Sequence, residues 1–229
     1  LIAVADGMGG HAGGEVASAI AINALLQLQP VLIDEQVDKD SREDLFLNIT
    51  HEIDQKILAE SKAQPDLAGM GTTLTALSIF DKNIELLHIG DSRCYRYRDN
   101  KLEQLSYDHT VMQELLDQGR LTPQEVFDHP QRSLLTQVLM GDSGLDPILI
   151  SFEIKKDDRY LLCSDGLTNV LSDYEISKII EANQDQKIPQ SLISEVRAKG
   201  APDNITIIWS LVTSDKQSNE VKKLGAVNE

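Results

Sequence analysis

Three aspartates stand where apolar runs meet loops: Asp6 after LIAVA, Asp165 after YLLCS, and Asp203, beside Asn204, just before ITIIWSLV. Carboxylates this far apart in sequence meet in space if the strand ends converge. They would then form a nest of hard oxygen ligands, which suits Mg²⁺ or Mn²⁺ far better than Zn²⁺. Taken singly, each is an ordinary turn residue: Asp6 before Gly7, Asp165 before Gly166, Asp203 after Pro202. Their joint placement beside apolar strands, where loops carry function on a rigid scaffold, is what raises the odds of a site. Gly90-Asp91-Ser92 joins two predicted strands and, as a hairpin turn, needs no function. His11 is either a general acid near the metals or a solvated loop residue, and chemistry alone leaves the two even. His109 and His129 read as capping or turn residues, and Met8 as a small apolar anchor.

The glycine-rich segment admits a rival. Gly7-Met8-Gly9-Gly10-His11-Ala12 fits G-x-G-x-x-A between a strand and a helix, with Asp34 downstream, as a dinucleotide site would. Two features oppose it. An aspartate directly before the first glycine would face a pyrophosphate with like charge, and the chain continues into β-hairpins instead of βαβ units.

The elements that must position these residues follow from periodicity. LIAVAD reads as a short buried strand, and helical spacing appears over residues 14–28 and again over 41–61, with a start at Ser41. The period then becomes two: residues 72–80, 84–89 and 93–97 read as an antiparallel meander turning at DKN and GDS. Residues 107–141 are helical and polar, an inserted flap that interrupts the strands. Strands resume at 148–154 and 159–163, helices follow at 174–182 and 191–198, and 205–212 is a last apolar strand. Residues 214–229 read as a polar tail. The class is therefore α+β, with one domain over 1–213 built from two sheets with helices outside.

Composition narrows the chemistry. With 229 residues and 41% hydrophobic content, the chain can bury one sizeable core. A net charge of -16 argues against nucleic-acid binding, and it also repels anionic substrates. A phosphate ester would be accepted only where bound divalent cations reverse the local sign. Cys94 and Cys163 lie in strand-like runs and read as buried free thiols of a reducing compartment. No signal peptide is visible and no apolar run approaches membrane-spanning length, so a cytoplasmic location is expected. The chain opens in mid-strand without Met, which implies residues before Leu1.

Read in order, VADGMGGHAGGE, MGTTLTAL, HIGDSRCYRY, DHT, LLCSDGLT and DNITIIW resemble the metal-dependent protein phosphatase (PPM) family. These are the type 2C serine/threonine phosphatases, and the match is to their compact bacterial members. It spans Leu1 to about Val212. The resemblance implies a four-layer αββα sandwich of two antiparallel sheets, with a binuclear Mn²⁺/Mg²⁺ centre at one end. It implies that Asp6 bridges both metals, that the Gly7 carbonyl binds one, and that Asp165 and Asp203 hold the other. Asn204 would position a metal-bound water, and Asp91 would join Asp165 at a third, weaker metal. Thr72 and Thr73 would pack near the site, and the flap would border the substrate groove.

The implied reaction is hydrolysis of phosphoserine and phosphothreonine in proteins by a metal-bound hydroxide, with His11 as the candidate acid and no Ser or Cys nucleophile. Partners would be phosphorylated proteins, substrates of serine/threonine kinases, met by a monomer without nucleic-acid or membrane contact. The family also carries, upstream of the first DG motif, an arginine that clamps phosphate and acidic residues that complete the metal shell. These lie before Leu1, so the 229 residues alone are expected to be impaired. The alternative is a catalytically impaired metal-binding module that docks phosphoproteins.

Overall fold

A computed structural model describes residues 1–32, 34, 37–80, 82–141, 144–213 and 222–225; the side chains of His11 and Asp128 lie outside the description. Most of the expected tail therefore falls outside the described residues. Strands β1 (Ile2–Val4), β4 (Leu74–Phe80), β5 (Asn83–Ile89) and β8 (Ile148–Glu153) form one antiparallel sheet in the order β1-β4-β5-β8. Strands β6 (Arg93–Arg98), β7 (Lys101–Gln104), β9 (Arg159–Cys163) and β10 (Ile207–Leu211) form the second, in the order β10-β9-β6-β7. The short strands β2 (Gly7–Met8) and β3 (Gly71–Thr72) pair with each other.

Alternation along each strand sorts side chains into two faces. Leu74, Ala76, Leu87 and Ile89 face helices α1 (His11–Leu32) and α2 (Lys39–Ala63), meeting Ala17, Ala21, Leu25, Phe46 and Ile53. Tyr95, Leu161 and Cys163 face α6 (Asp173–Ala182) and α7 (Ile188–Ala198) through Ile176, Leu192 and Val196. The opposite faces meet each other: Val4, Leu77, Ile84 and Leu86 pack against Cys94, Tyr160 and Leu162. Each fully buried side chain of this size contributes roughly 2 kcal/mol, so three cores hold four layers together. The αββα sandwich is as expected, and both cysteines are buried and free.

Several local expectations need correcting. GDS is not a hairpin turn, because β5 and β6 belong to different sheets. The turn carries the chain across the sandwich, and Gly90 makes that possible with φ +106 in a place where a Cβ would lie 2.6 Å from the Thr73 side chain. Helix α2 is capped by Asp38, whose carboxylate accepts from Ser41 N at 3.0 Å, so Ser41 lies inside the helix it was expected to start. Helix α1 runs from His11 to Leu32, through Pro30 in its last turn. Its residues Ala12–Leu32 are long and apolar enough to span a membrane by length and composition, contrary to the sequence reading. One face of it nonetheless packs on the first sheet through Ala17, Ala21, Ala24 and Leu25. Strand β7 was missed because KLEQ is polar, yet Asp99 and Asn100, at φ 50 and 60, form the two-residue turn that hairpins favour.

A candidate metal centre at one end of the sandwich

Strand register brings the aspartates to one end. Val4 pairs with Thr75 and Leu74 with Ile89, which places Asp6 and Asp91 just beyond the same edge of the first sheet. Ile207 and Arg93 both pair with Cys163, which places Asp165, Asp203 and the GDS turn together at the second. Asp165 opens the short helix α5 (Asp165–Thr168). Gly166 follows Asp165 as a turn glycine would, but its φ is not left-handed. A Cβ on it would lie 2.0 Å from the Asn204 carbonyl oxygen, so glycine is required for the SDG and DN loops to touch.

Proximity shows in the protonation of these groups. Asp6 is pushed up to about 7 by burial, then by the charge of Asp165 and a hydrogen bond with it, then by Asp203. Asp91 rises to about 8 through burial and the charges of Asp165, Asp108 and Asp6. Asp165 is raised by burial and by Asp203. Asp6 and Asp91 therefore hold protons near neutrality unless a cation replaces them. Among the described residues, no three His, Cys, Asp or Glu side chains close into a finished cage. That openness fits Mg²⁺ and Mn²⁺, which keep several waters and accept carbonyl oxygens such as that of Gly7. Asp6, Gly7, Asp203 and Asn204 line a cleft of about 750 Å³ that also reaches Glu15 and Ser18 of α1. Asn204 is exposed there. His11 is the first residue of α1, and its side chain lies outside the description.

Thr72 and Thr73, expected only to pack, hold the loop that carries Asp6. Asp6 N donates to Thr73 Oγ1 at 3.0 Å, Thr73 N donates to Asp6 O at 2.9 Å, and Thr72 Oγ1 donates to Asp6 O at 3.0 Å. Thr73 Oγ1 also shares a hydrogen bond with Ser92 Oγ at 2.9 Å, which ties Asp6 to the turn carrying Asp91. His109 and His129 take the roles expected of them. His109 Nδ1 accepts from Gly90 N at 3.1 Å, and His129 caps α4 (Pro123–Asp128).

The flap, with α3 (Val111–Asp117) and α4, is fastened at both ends. Thr110 bridges to Leu135, Thr72 bridges to Leu139, and the buried carboxylate of Asp54 accepts from Met140 N and Gly141 N at 3.0 and 2.6 Å. From it Arg132 Nε donates to Asn169 Oδ1 at 2.9 Å, while Asn169 Nδ2 donates to Asp165 Oδ2 at 2.8 Å and Ser133 Oγ to the same oxygen at 3.5 Å. Arg93 grips Asp108 through Nε at 2.9 and 3.0 Å, joining GDSR to DHT. The sequence reading missed Arg93, Asp108, Arg132 and Asn169. Only the charge pair in GDSR and DHT carried a signal, because the others depend on where the flap folds.

Two sheets, flanking helices and converging carboxylates define a metal-dependent phosphatase architecture. The chain matches the protein phosphatase 2C family over residues 1–192, and it belongs to that family. It is 42% identical over 211 residues to the serine/threonine protein phosphatase PstP of Mycobacterium tuberculosis, covering 91% of this chain and 39% of that protein. It is 32% identical to the serine/threonine phosphatase stp of Listeria welshimeri, covering 91% of this chain and 82% of that one. A solved structure of the PstP catalytic domain in complex with two manganese ions superimposes with a TM-score of 0.80 at 39% identity, covering 93% of this chain and 87% of that one.

Proposed function

We propose that this chain hydrolyses phosphoserine and phosphothreonine in proteins at a binuclear Mn²⁺ or Mg²⁺ centre. One observation carries the reading: Asp6, Asp91 and Asp165, from three separate loops, meet at one end of the sandwich closely enough to raise one another's pKa, with the charge of the exposed Asp203 beside them. Asp6, Asp165, Asp203 and the Gly7 carbonyl would hold two ions, and Asp91 with Asp165 a third. When bound, such ions lower the pKa of coordinated water and clamp both oxygens of an in-line displacement.

The protein's own part is positioning. Thr73 fixes the backbone of Asp6, and Asn169 and Ser133 fix the Asp165 carboxylate. Asn204 stands on the cleft to orient a water, and His11 is the candidate acid for the leaving alkoxide. The flap borders the groove that receives the phosphoprotein. We further propose a monomer that acts in the cytoplasm on kinase substrates in signal transduction, without membrane or nucleic-acid contact. The test is phosphate release from a phosphothreonine peptide with Mn²⁺, with and without EDTA. Mn²⁺-dependent release supports the reading. Mn²⁺ and phosphopeptide binding without release would identify the docking module instead.

A further inference from the structure

Between the sheets, behind the metal centre, lies a buried polar relay that positioning of the four aspartates does not use up. His88 is fully buried on β5 and stacks on His109, with ring centroids 5.2 Å apart. Its Nδ1 lies 2.9 Å from Thr75 Oγ1, and its Nε2 lies 2.9 Å from the Tyr107 carbonyl at the root of the flap. Thr75 Oγ1 also lies 2.8 Å from the Ser92 carbonyl, in the turn that carries Asp91. Three hydrogen-bond gaps thus run in series from Ser92 through Thr75 and His88 to Tyr107.

The protons do not suffice for three. The threonine hydroxyl has one, and a neutral imidazole has one. Only the imidazolium would fill every gap. Burial, then the neighbouring His109 and Arg93, push His88 down to about 3, so the ring is neutral. Two arrangements remain. In one, Nδ1–H donates to Thr75, Thr75 donates to Ser92 O, and the Nε2 lone pair faces the Tyr107 carbonyl. In the other, Nε2–H donates to Tyr107 O, Thr75 donates to Nδ1, and Ser92 O loses its donor. The relay thus supplies a donor to the Ser92 carbonyl or to the Tyr107 carbonyl, and not to both.

We propose that His88 is a positioning residue shared between the turn that carries Asp91 and the root of the flap, and that its single ring proton serves one of them at a time. The inference rests on the metal-centre reading above. It makes order at the third metal position and tethering of the flap competing outcomes of one tautomeric choice.

The test separates the two ring nitrogens. In H88N the amide stands near the Nδ1 position, keeps the link to Thr75 and cannot reach Tyr107. In H88Q the amide reaches the Tyr107 carbonyl and gives up Thr75. Backbone amide exchange of residues 107–111 in metal-free protein reports the flap root, and Mn²⁺ titration calorimetry reports the metal-bearing turn. H88N is expected to speed that exchange on the order of 5-fold with Mn²⁺ affinity unchanged. H88Q is expected to leave exchange unchanged and Mn²⁺ binding no weaker, because its amide donates to the Tyr107 carbonyl while Thr75, freed of Nδ1, donates to Ser92 O. T75V, which removes the donor to Ser92 O without touching His88, is expected to weaken the weakest Mn²⁺ site on the order of 5-fold with exchange unchanged. Equal changes in both readouts for H88N and H88Q, tracking a common loss of Tm, would reduce His88 to a packing residue and overturn the proposal. So would no change in either readout for H88N and T75V. Neither readout requires turnover, so failure here leaves the phosphatase reading standing. If wild-type protein binds no Mn²⁺, that reading falls, while the exchange contrast still decides the role of His88.

Discussion

Strand β9 has an aspartate at each end, and the two are treated in opposite ways. Asp158, 1% exposed, receives Arg98 Nε at 2.6 Å and Nη2 at 2.5 Å, together with Lys155 N at 2.7 Å. Burial opposes its charge, but the Arg98 hydrogen bonds win and hold its carboxyl below the usual range. At the other end, among the described residues, Asp165 receives the neutral donors Asn169 and Ser133 and a hydrogen bond from Asp6, no cation, and it faces the charge of Asp203. Its pKa is raised. The nearest guanidinium on the flap, Arg132, spends its donors on Asn169 and the Phe127 carbonyl. Along this strand the fold pairs one carboxylate with a cation of its own and leaves the other facing its own kind.

The largest contrast is between D165N and D158N. D165N is expected to lower Mn²⁺-dependent turnover by about 10³-fold or more, since metal clamping supplies several kcal/mol of transition-state stabilisation. Its metal-free Tm should stay level or rise, because a repulsive charge is gone. D158N should cost about 3 kcal/mol of stability, at the low end for a broken buried pair because Arg98 reaches solvent. Turnover by D158N below its Tm should stay within about 2-fold of wild type, as expected of a residue far from the reacting groups. Equal destabilisation of the two variants in thermal melts would erase the comparison.

A pH series sharpens it. Asp6 and Asp91 have folded pKa values of about 7 and 8, above the ordinary 3.8, so protonation stabilises the folded state. That stability is fully present below about pH 4 and is lost as pH rises through about 7 to 8. Asp158, held low, contributes stability above about pH 4 that is lost in acid. Metal-free protein should therefore melt at its highest temperature near pH 5 and progressively lower toward pH 8. Saturating Mn²⁺ should remove the decline, and D165N should flatten it. A melting temperature that climbs steadily from pH 5 to pH 8 without metal would contradict the clustered carboxylates.

The smallest effect concerns the neutral donors. N169A removes the 2.8 Å hydrogen bond to Asp165 Oδ2 and the seat of Arg132. Mn²⁺ affinity is expected to fall about 10-fold, as for other groups that orient a ligand, with little change in Tm. Unchanged affinity in calorimetry would show that Asp165 needs no such support.

Much of the sandwich was legible because buried strands announce themselves by alternation and apolar content. Arg159–Cys163 was placed to the residue, and Asp6, Asp165 and Asp203 stood out beside such runs. What was not legible depended on crossing between layers. GDS has the composition of a hairpin turn, and nothing local says that β6 joins the other sheet; only packing against Thr73 decides it. Gly166 looked like a turn residue because the Asn204 carbonyl that excludes a side chain lies 38 residues away in sequence. MGTT looked like packing because its hydroxyls bond to backbone atoms about 67 residues distant. Hydrogen bonds of that separation leave no periodic trace.

The central claim is that the end of the sandwich bearing Asp6, Asp91, Asp165 and Asp203 is a cation site built from mutually repelling carboxylates. Mn²⁺ titration calorimetry on wild-type protein and D165N tests it most directly. The account predicts at least two Mn²⁺ ions per chain in wild type, with stoichiometry or affinity sharply reduced in D165N. Absence of Mn²⁺ binding by wild type, or the same isotherm for both proteins, would contradict it.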